Sequence, residues 1–295
     1  MRIGLGAPVS GAWATPETLA AFAAHAEELG YDSLWTFQRL LVGVDDQLDA
    51  VYQSVLDPLL ALTFAAAHTS RIRLGVALVN MPFISPTYLA KQAATLDVLS
   101  HGRLDLGLGV GWSRSEFTAT GADRARRGAR AEEYVRVLRT LWTDDPASFD
   151  GEFYTVPPSR MAPRPVQPGG PPVLLGGVVR PALERAGRLA AGWMSRSAHD
   201  LDRIGEDVAT VRAAAPDPAA VRVVVRGVVR PGTRDGRLSG TYDDIRADAE
   251  WLAEQGVTEL YYDFNWDDRI GNPAADPKAA AALATEIAEA LAPVS

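Results

Sequence analysis

The chain has 295 residues, of which 47% are apolar and 22% charged, and its formal charge is −8. These are globular values with room for one large core or two ordinary domains, and the acidic balance argues against nucleic acid or an anionic membrane as a partner. The absence of cysteine excludes disulfides, thiolate nucleophiles and cysteine-ligated metals. An anionic cofactor stays admissible, because a few local donors hold one against the overall field.

Arg2 to Ala7 is a short apolar strand and not a signal peptide. No run of about 18 apolar residues offers a membrane span, so a soluble cytoplasmic protein is expected. Thr15-Pro16-Glu17 supplies an N-cap, a first-turn proline and a first-turn acid. Leu19, Phe22, Ala23, Ala26 and Leu29 follow at helical spacing until Gly30 stops the helix. Ser33 to Thr36 is the second strand. Asp57-Pro58 opens a helix to about Thr69, and Arg71 to Val79 is the third strand. Ser85-Pro86 opens the next helix, and His101-Gly102 turns the chain into strand four, Arg103 to Gly109. A long helix is expected over about Arg124 to Trp142, with Tyr134, Val135, Leu138, Leu141 and Trp142 on one stripe.

Ser148 to Phe153 predicts a small hairpin with a tight turn at Asp150-Gly151, and proline-rich Pro157 to Pro172 an extended surface loop. Val173 to Leu175 is strand five, followed by Gly176-Gly177 and a helix near Pro181 to Leu189. Trp193 to Ser195 is strand six, and a polar helix covers about Asp200 to Ala214. Val221 to Val229 is strand seven, and Pro231 to Gly240 a loop. Thr241 caps a helix to Gln255, Thr258 to Asp263 is strand eight, and Pro277 to Leu291 closes the chain as a helix. Eight apolar strands, each followed by a helix, predict an α/β TIM (β/α)₈ barrel occupying 1–295 as one domain. An open doubly wound sheet is the alternative.

In such a barrel the chemistry sits where the strands end. Gly107-Leu108-Gly109-Val110-Gly111-Trp112 either lets a flat ring lie close to the backbone or fills a tapering interior with small residues. It is not a dinucleotide fingerprint, since its third glycine is mis-spaced. Gly176-Gly177 with Arg180 at the next helix start offers backbone N–H groups and a cation to a phosphate, or is an ordinary tight turn. His25 and His68 lie in helices and His101 at the opposite face. His199 follows a strand on the active face and reads as a surface residue. No histidine pair has ligand spacing, so no metal is expected, and Ser10, Ser113 and Ser195 lack the partners of a hydrolase. Chemistry carried by a cofactor needs no strong protein nucleophile.

Gly30-Tyr31-Asp32-Ser33-Leu34-Trp35, the run Gly102 to Trp112 with Glu116-Phe117, Arg127 to Glu133, Leu141-Trp142, Pro163 to Pro168 with Pro171 to Gly177, and Gly192-Trp193-Met194 occur in that order. Together they resemble the luciferase-like monooxygenase superfamily, and most nearly its actinobacterial branch that uses the deazaflavin coenzyme F420. The resemblance implies a bacterial-luciferase-like TIM barrel with insertion loops, and an F420-dependent oxidoreductase acting on a small-molecule substrate. FMN is the alternative cofactor. A non-proline cis peptide at Ala77–Leu78 is implied, with Ala77, Leu78, Val79 and Asn80 supporting the ring beside Gly109 and Gly111. The cofactor phosphate is implied at Gly176, Gly177, Val178, Val179 and Arg180. Two departures matter. Where deazaflavin relatives commonly carry Asp-His, this chain has Gln38-Arg39, and where some dehydrogenases carry a glutamate it has Trp112.

Alcohol oxidation needs such proton-transferring groups, so a reductase is favoured over a sugar or alcohol dehydrogenase. Gln38, Arg39 and Trp112 are the candidate catalytic residues. Arg39 either binds an anion or forms a rim ion pair with Asp45 or Asp46. Leu40 to Leu56 and Pro157 to Pro172 are expected to cover the pocket, and Trp13, Phe37, Phe83, Trp112 and Trp266 are candidates for an apolar lining. An FMN-dependent two-component monooxygenase with a separate flavin or F420 reductase is the second possibility, and a non-catalytic cofactor- or ligand-binding barrel the third. A homodimer is expected by analogy.

Overall fold

The computed structural model describes residues 1–293. In chain order the first half comprises β1 (Arg2–Gly6), α1 (Pro16–Glu28), β2 (Ser33–Thr36), α2 (Pro58–Ala66), β3 (Arg73–Asn80), α3 (Pro86–Leu99), β4 (Leu104–Gly109), α4 (Arg114–Thr120) and α5 (Arg127–Thr143). The second half comprises β5 (Ala147–Asp150), β6 (Thr155–Ser159), β7 (Val173–Gly176), α6 (Arg180–Leu189), β8 (Gly192–Met194), α7 (Ile204–Ala214), β9 (Arg222–Val228), β10 (Arg230–Pro231), β11 (Ser239–Gly240), α8 (Tyr242–Glu254), β12 (Glu259–Asp263) and α9 (Pro277–Ala290). Eight strands close a parallel barrel in the order β1-β12-β9-β8-β7-β4-β3-β2. The seam pairs Arg2 with Glu259 and Leu5 with Tyr262. The open sheet is therefore excluded.

Local chemistry sets the helix starts. Thr15, Asp57, Ser85 and Asp276 each cap a helix with a side-chain oxygen, and a proline follows at the first turn, where its missing N–H costs nothing. Thr241 and Asp244 form a reciprocal capping box on α8.

Alternate residues of the strands meet inside the barrel in layers. At the N-terminal end, buried Asp105 accepts from Arg73 and Arg222, and buried Glu259 accepts from Arg222, Ser33 and Trp35. Above them Trp35 stacks on Tyr261 at 5.3 Å, within a cluster that holds Ala77, Leu174, Met194 and Val224. Trp35 presses so closely on Gly75 that a Cβ there would lie 2.2 Å from Cε3. These layers form a solid floor, so a ligand meets only the C-terminal ends.

The expected long helix is α5, which begins at Arg127, and a short separate helix, α4, capped by Ser113, precedes it. Two expectations are corrected. The hairpin is longer than a tight Asp150-Gly151 turn. Its strands β5 and β6 are joined by residues 151–154, whose N–H groups at Glu152, Phe153 and Tyr154 donate to the Glu133 carboxylate. The proline-rich segment starts as strand β6 and then runs along the side and the N-terminal face. Asp97 accepts from Val166 and Gln167, and Gln167 donates to Leu104. A link from a helix end to a strand start belongs at that face, so this segment does not cover the pocket.

Candidate active site

At the end of β3 the pairing with β4 slips between Val76 and Val79, and the Ala77–Leu78 peptide is cis at the position the resemblance implies. The slip turns Leu78 across the barrel mouth. Its methyls fill the space that the glycines of neighbouring strands leave open. A Cβ on Gly109 would lie 3.0 Å from Leu78 Cδ1, and one on Gly176 would lie 2.4 Å from it. The small residues of β4 thus receive a leucine.

Beside this bulge the end of β2 delivers Phe37, Gln38 and Arg39. Gln38 Oε1 accepts from the Asn80 N–H at 2.9 Å and from Asn80 Nδ2 at 3.1 Å. Arg39 is buried and donates through Nη1 to Glu116 at 2.8 Å, while the other Glu116 oxygen accepts from the Leu40 N–H. The Arg39 guanidinium carbon lies 4.5 Å from the Trp112 ring and 4.7 Å from the Tyr52 ring. The rim pair with Asp45 or Asp46 does not form. Asp46 instead accepts from Gly43 and Ser115 and ties the segment after β2 to α4. That segment crosses to the loop after β1, where Ser10 bridges Val55, and brings Tyr52 and Asp49 to the pocket.

Two chambers share Tyr52, Ser197 and Arg226 in their walls. The smaller, about 130 Å³, is bounded by Gln38, Arg39, Ala77, Leu78, Asn80 and Trp112, with Phe37, Ser195 and Arg196 completing the wall. No carboxylate lines it. The larger, about 530 Å³, adds Trp266, His199 and Arg230 together with Asp49, Asp200, Asp202 and Asp235.

Six of the candidate catalytic and cofactor-binding residues therefore meet around one chamber. The others do not line it. Val79 is buried behind the bulge, and Gly111 (φ +70°) backs onto Phe83 and Phe117. Gly109 stands behind Leu78. Gly176 to Arg180 lie outside both linings. There the N–H groups of 177–180 make no hydrogen bond among the described residues, and Val179 caps α6 without a side-chain acceptor. Val178 and Val179 are exposed, and Arg180 pairs with Glu184 on the helix surface. Of the aromatic candidates, Phe37, Trp112 and Trp266 line the chambers. Trp13 is core, packed on Phe22 and donating to Asn265, and Phe83 faces a separate surface hollow.

Arg226 and Tyr52 were not singled out from the sequence. The signal was present for Arg226, as one cation inside the valine run of β9. Its Nε donates to Asp263 at 2.8 Å, and its guanidinium carbon lies 4.5 Å from the Phe37 ring and 4.0 Å from the Trp266 ring. Burial opposes its charge, but the Asp263 carboxylate beside it offsets that and its pKa stays above the ordinary value. His199 is not a surface residue. Its side chain is 6% exposed, 3.0 Å from Asp207, and edge-on to Trp193. Burial pulls its pKa below the ordinary value despite Asp207, which favours neutral imidazole at pH 7.

Among the described residues no helix is long and apolar enough to cross a membrane, and no group of three His, Cys, Asp or Glu is placed to hold a metal. The sequence profile of the luciferase-like monooxygenases matches residues 2–290. An uncharacterized protein of Mycobacterium bovis is 33% identical over 88% of this chain and 90% of its own length. The FMNH(2)-dependent dimethylsulfone monooxygenase of Pseudomonas putida is 32% identical over 64% of this chain and 53% of its own. The F420-dependent glucose-6-phosphate dehydrogenase of Amycolatopsis mediterranei is 29% identical over 63% and 55%. The crystal structure of the monooxygenase RslO1 from Streptomyces bottropensis superposes with a TM-score of 0.79 over 98% of both chains at 23% identity. The chain belongs to the luciferase-like monooxygenase family and is an oxidoreductase of that family.

Proposed function

We propose that the chain works as one domain that binds coenzyme F420 over its strand ends and exchanges a hydride between that cofactor and a small organic substrate, in the direction of reduction. The observation that carries this is the Leu78 bulge facing a chamber with three arginines and no carboxylate in its wall. Ala77, Leu78 and Asn80 would support the ring, with Val79, Gly109 and Gly111 behind them. The unpartnered N–H groups from Gly177 to Arg180, together with Val178 and Val179, would take the anionic arm. When bound, F420 supplies a hydride at C5.

The protein's part is position and shape. Asn80 holds the Gln38 amide with its nitrogen left for the ring or the substrate. Trp112, 52% exposed, closes the rim by stacking on Arg39. An amide and a guanidinium paired with Glu116 do not take up a proton at neutral pH, so neither Gln38 nor Arg39 serves as the base that alcohol oxidation needs, which supports the reading as a reductase. The FMNH(2)-dependent relative supports a second possibility, an FMN-dependent monooxygenase supplied by a separate reductase. A homodimer fits α2, whose Leu60 and Phe64 face outward with Leu56.

Titration with F420 and with FMN, read by absorbance and fluorescence, tests the proposal. Saturable F420 binding with no FMN affinity is expected. FMN binding with oxygen consumption would establish the second possibility. Binding of either cofactor without turnover over a broad substrate panel would leave a non-catalytic barrel.

A further inference from the structure

The wall shared by the two chambers carries a cation whose side-chain hydrogen-bonding capacity is mostly unspent. Arg226 is 7% exposed, and only its Nε is engaged, by Asp263. Its two Nη nitrogens make no hydrogen bond among the described residues, yet they are not among the sealed, unsatisfied atoms, so they open into the space that Arg226 lines. Donors that face a chamber and have no protein partner are free to bind an anionic ligand there.

The orientation is built in. Asp263 is itself held by Asn265, whose amide donates to it at 2.8 Å, and Trp13 donates to Asn265 at 3.2 Å. Ser195 Oγ accepts the backbone N–H of Arg226 at 3.0 Å. The guanidinium carbon lies 4.5 Å from the Phe37 ring and 4.0 Å from the Trp266 ring, and since those rings are 5.2 Å apart both pack against one side of the guanidinium. A guanidinium packed on one side by aromatic rings and held at Nε presents its remaining nitrogens as a fork, the geometry that matches a carboxylate. Glu116 balances Arg39 and Asp263 balances Arg226, so the net positive charge of the small chamber's wall comes from Arg196, which has no ion-pair partner among the described residues, and Arg226 contributes its free fork of donors. The larger chamber sets four aspartates against Arg230 and Arg237 away from the smaller one's wall, so the field favours an anion on the small-chamber side of the shared wall.

We propose that Arg226 anchors the acidic head of the substrate, and that the substrate class is a small organic acid with a flat apolar body lying against Tyr52 and Trp266. The assignment rests on the redox function proposed above. It names the substrate and not the cofactor as the anion, because the N–H groups suited to a phosphate arm lie elsewhere, at 177–180.

Calorimetric titration of the full chain with benzoate and with benzamide tests it, since the two share a flat body and differ in charge. Benzoate is expected to bind at least tenfold more tightly than benzamide. Arg226→Gln is expected to weaken benzoate at least tenfold and to leave benzamide unchanged, and Arg226→Lys, with charge but no fork, to fall between. Equal binding of the two probes, no benzoate binding, or full benzoate binding by Arg226→Gln would each overturn the assignment. So would a tenfold loss of F420 or FMN affinity in Arg226→Gln with benzoate unaffected, which would give the guanidinium to the cofactor. If Arg226→Gln does not fold, the wild-type contrast and Arg226→Lys decide. Cofactor titrations on the same wild-type samples separate the two levels. Binding of neither cofactor sinks the redox function, whatever benzoate does.

Discussion

Arg39 illustrates how much of a site is decided by partners far away in the chain. Its charge is matched by Glu116, 1% exposed, which also receives the Leu40 N–H and so fixes where the chain leaves β2. Removing one member of a buried ion pair strands the other's charge. Glu116→Ala is therefore expected to destabilise the protein by about 3–5 kcal/mol in urea denaturation. A loss below about 1 kcal/mol would mean that the pair behaves as a solvated surface contact. The sequence showed Glu116 only as part of a family motif, and nothing in local spacing tied it to a residue in a different βα unit. Of the two aromatic neighbours of Arg39, Trp112 was a candidate from its place at a strand end, whereas Tyr52 was hidden because it reaches Arg39 from a segment without periodicity.

At the scale of elements, the caps were legible because each is a local event. Thr15-Pro16, Asp57-Pro58 and Ser85-Pro86 start helices where their chemistry says they must. α4 escaped because seven residues span fewer than two turns, too short for an apolar stripe to declare itself. β6 escaped because Pro157 and Pro158 argue against a central strand, whereas this two-stranded ribbon has only edges. One junction between elements carries a pH dependence. The Glu27 carboxylate, near the end of α1, accepts the N–H groups of Ser70, Arg71 and Ile72 ahead of β3.

Burial disfavours the Glu27 charge, but those donors outweigh it and pull its pKa from 4.5 to about 2. A carboxyl group whose folded pKa is depressed stabilises fully above the unfolded value, and that contribution fades as pH falls from 4.5 towards 2. Urea midpoints at pH 6 and pH 3 are expected to fall further for wild type than for Glu27→Gln. Equal falls would remove Glu27 from the acid response.

For the whole molecule, counting eight strand–helix units was enough to find the barrel, since a parallel sheet covered on both faces closes best at that number. Closure then limits where any ligand can go. Asp105, Glu259 and their arginines seal one end, and Trp35 and Tyr261 fill the middle, so binding is confined to the mouth around Leu78. What the pattern of strands could not reveal was how the mouth is divided. That depends on side chains from Phe37, Tyr52, Arg226 and Trp266 converging from four separate segments. The crystal structure of the protein soaked with F420 tests the account most directly. The account predicts density for the tricyclic ring against the Ala77–Leu78 peptide, with the phosphate within hydrogen-bond distance of the N–H groups at 177–180. A mouth that stays empty at saturating F420 and at saturating FMN, or a ring bound away from Leu78, would contradict it.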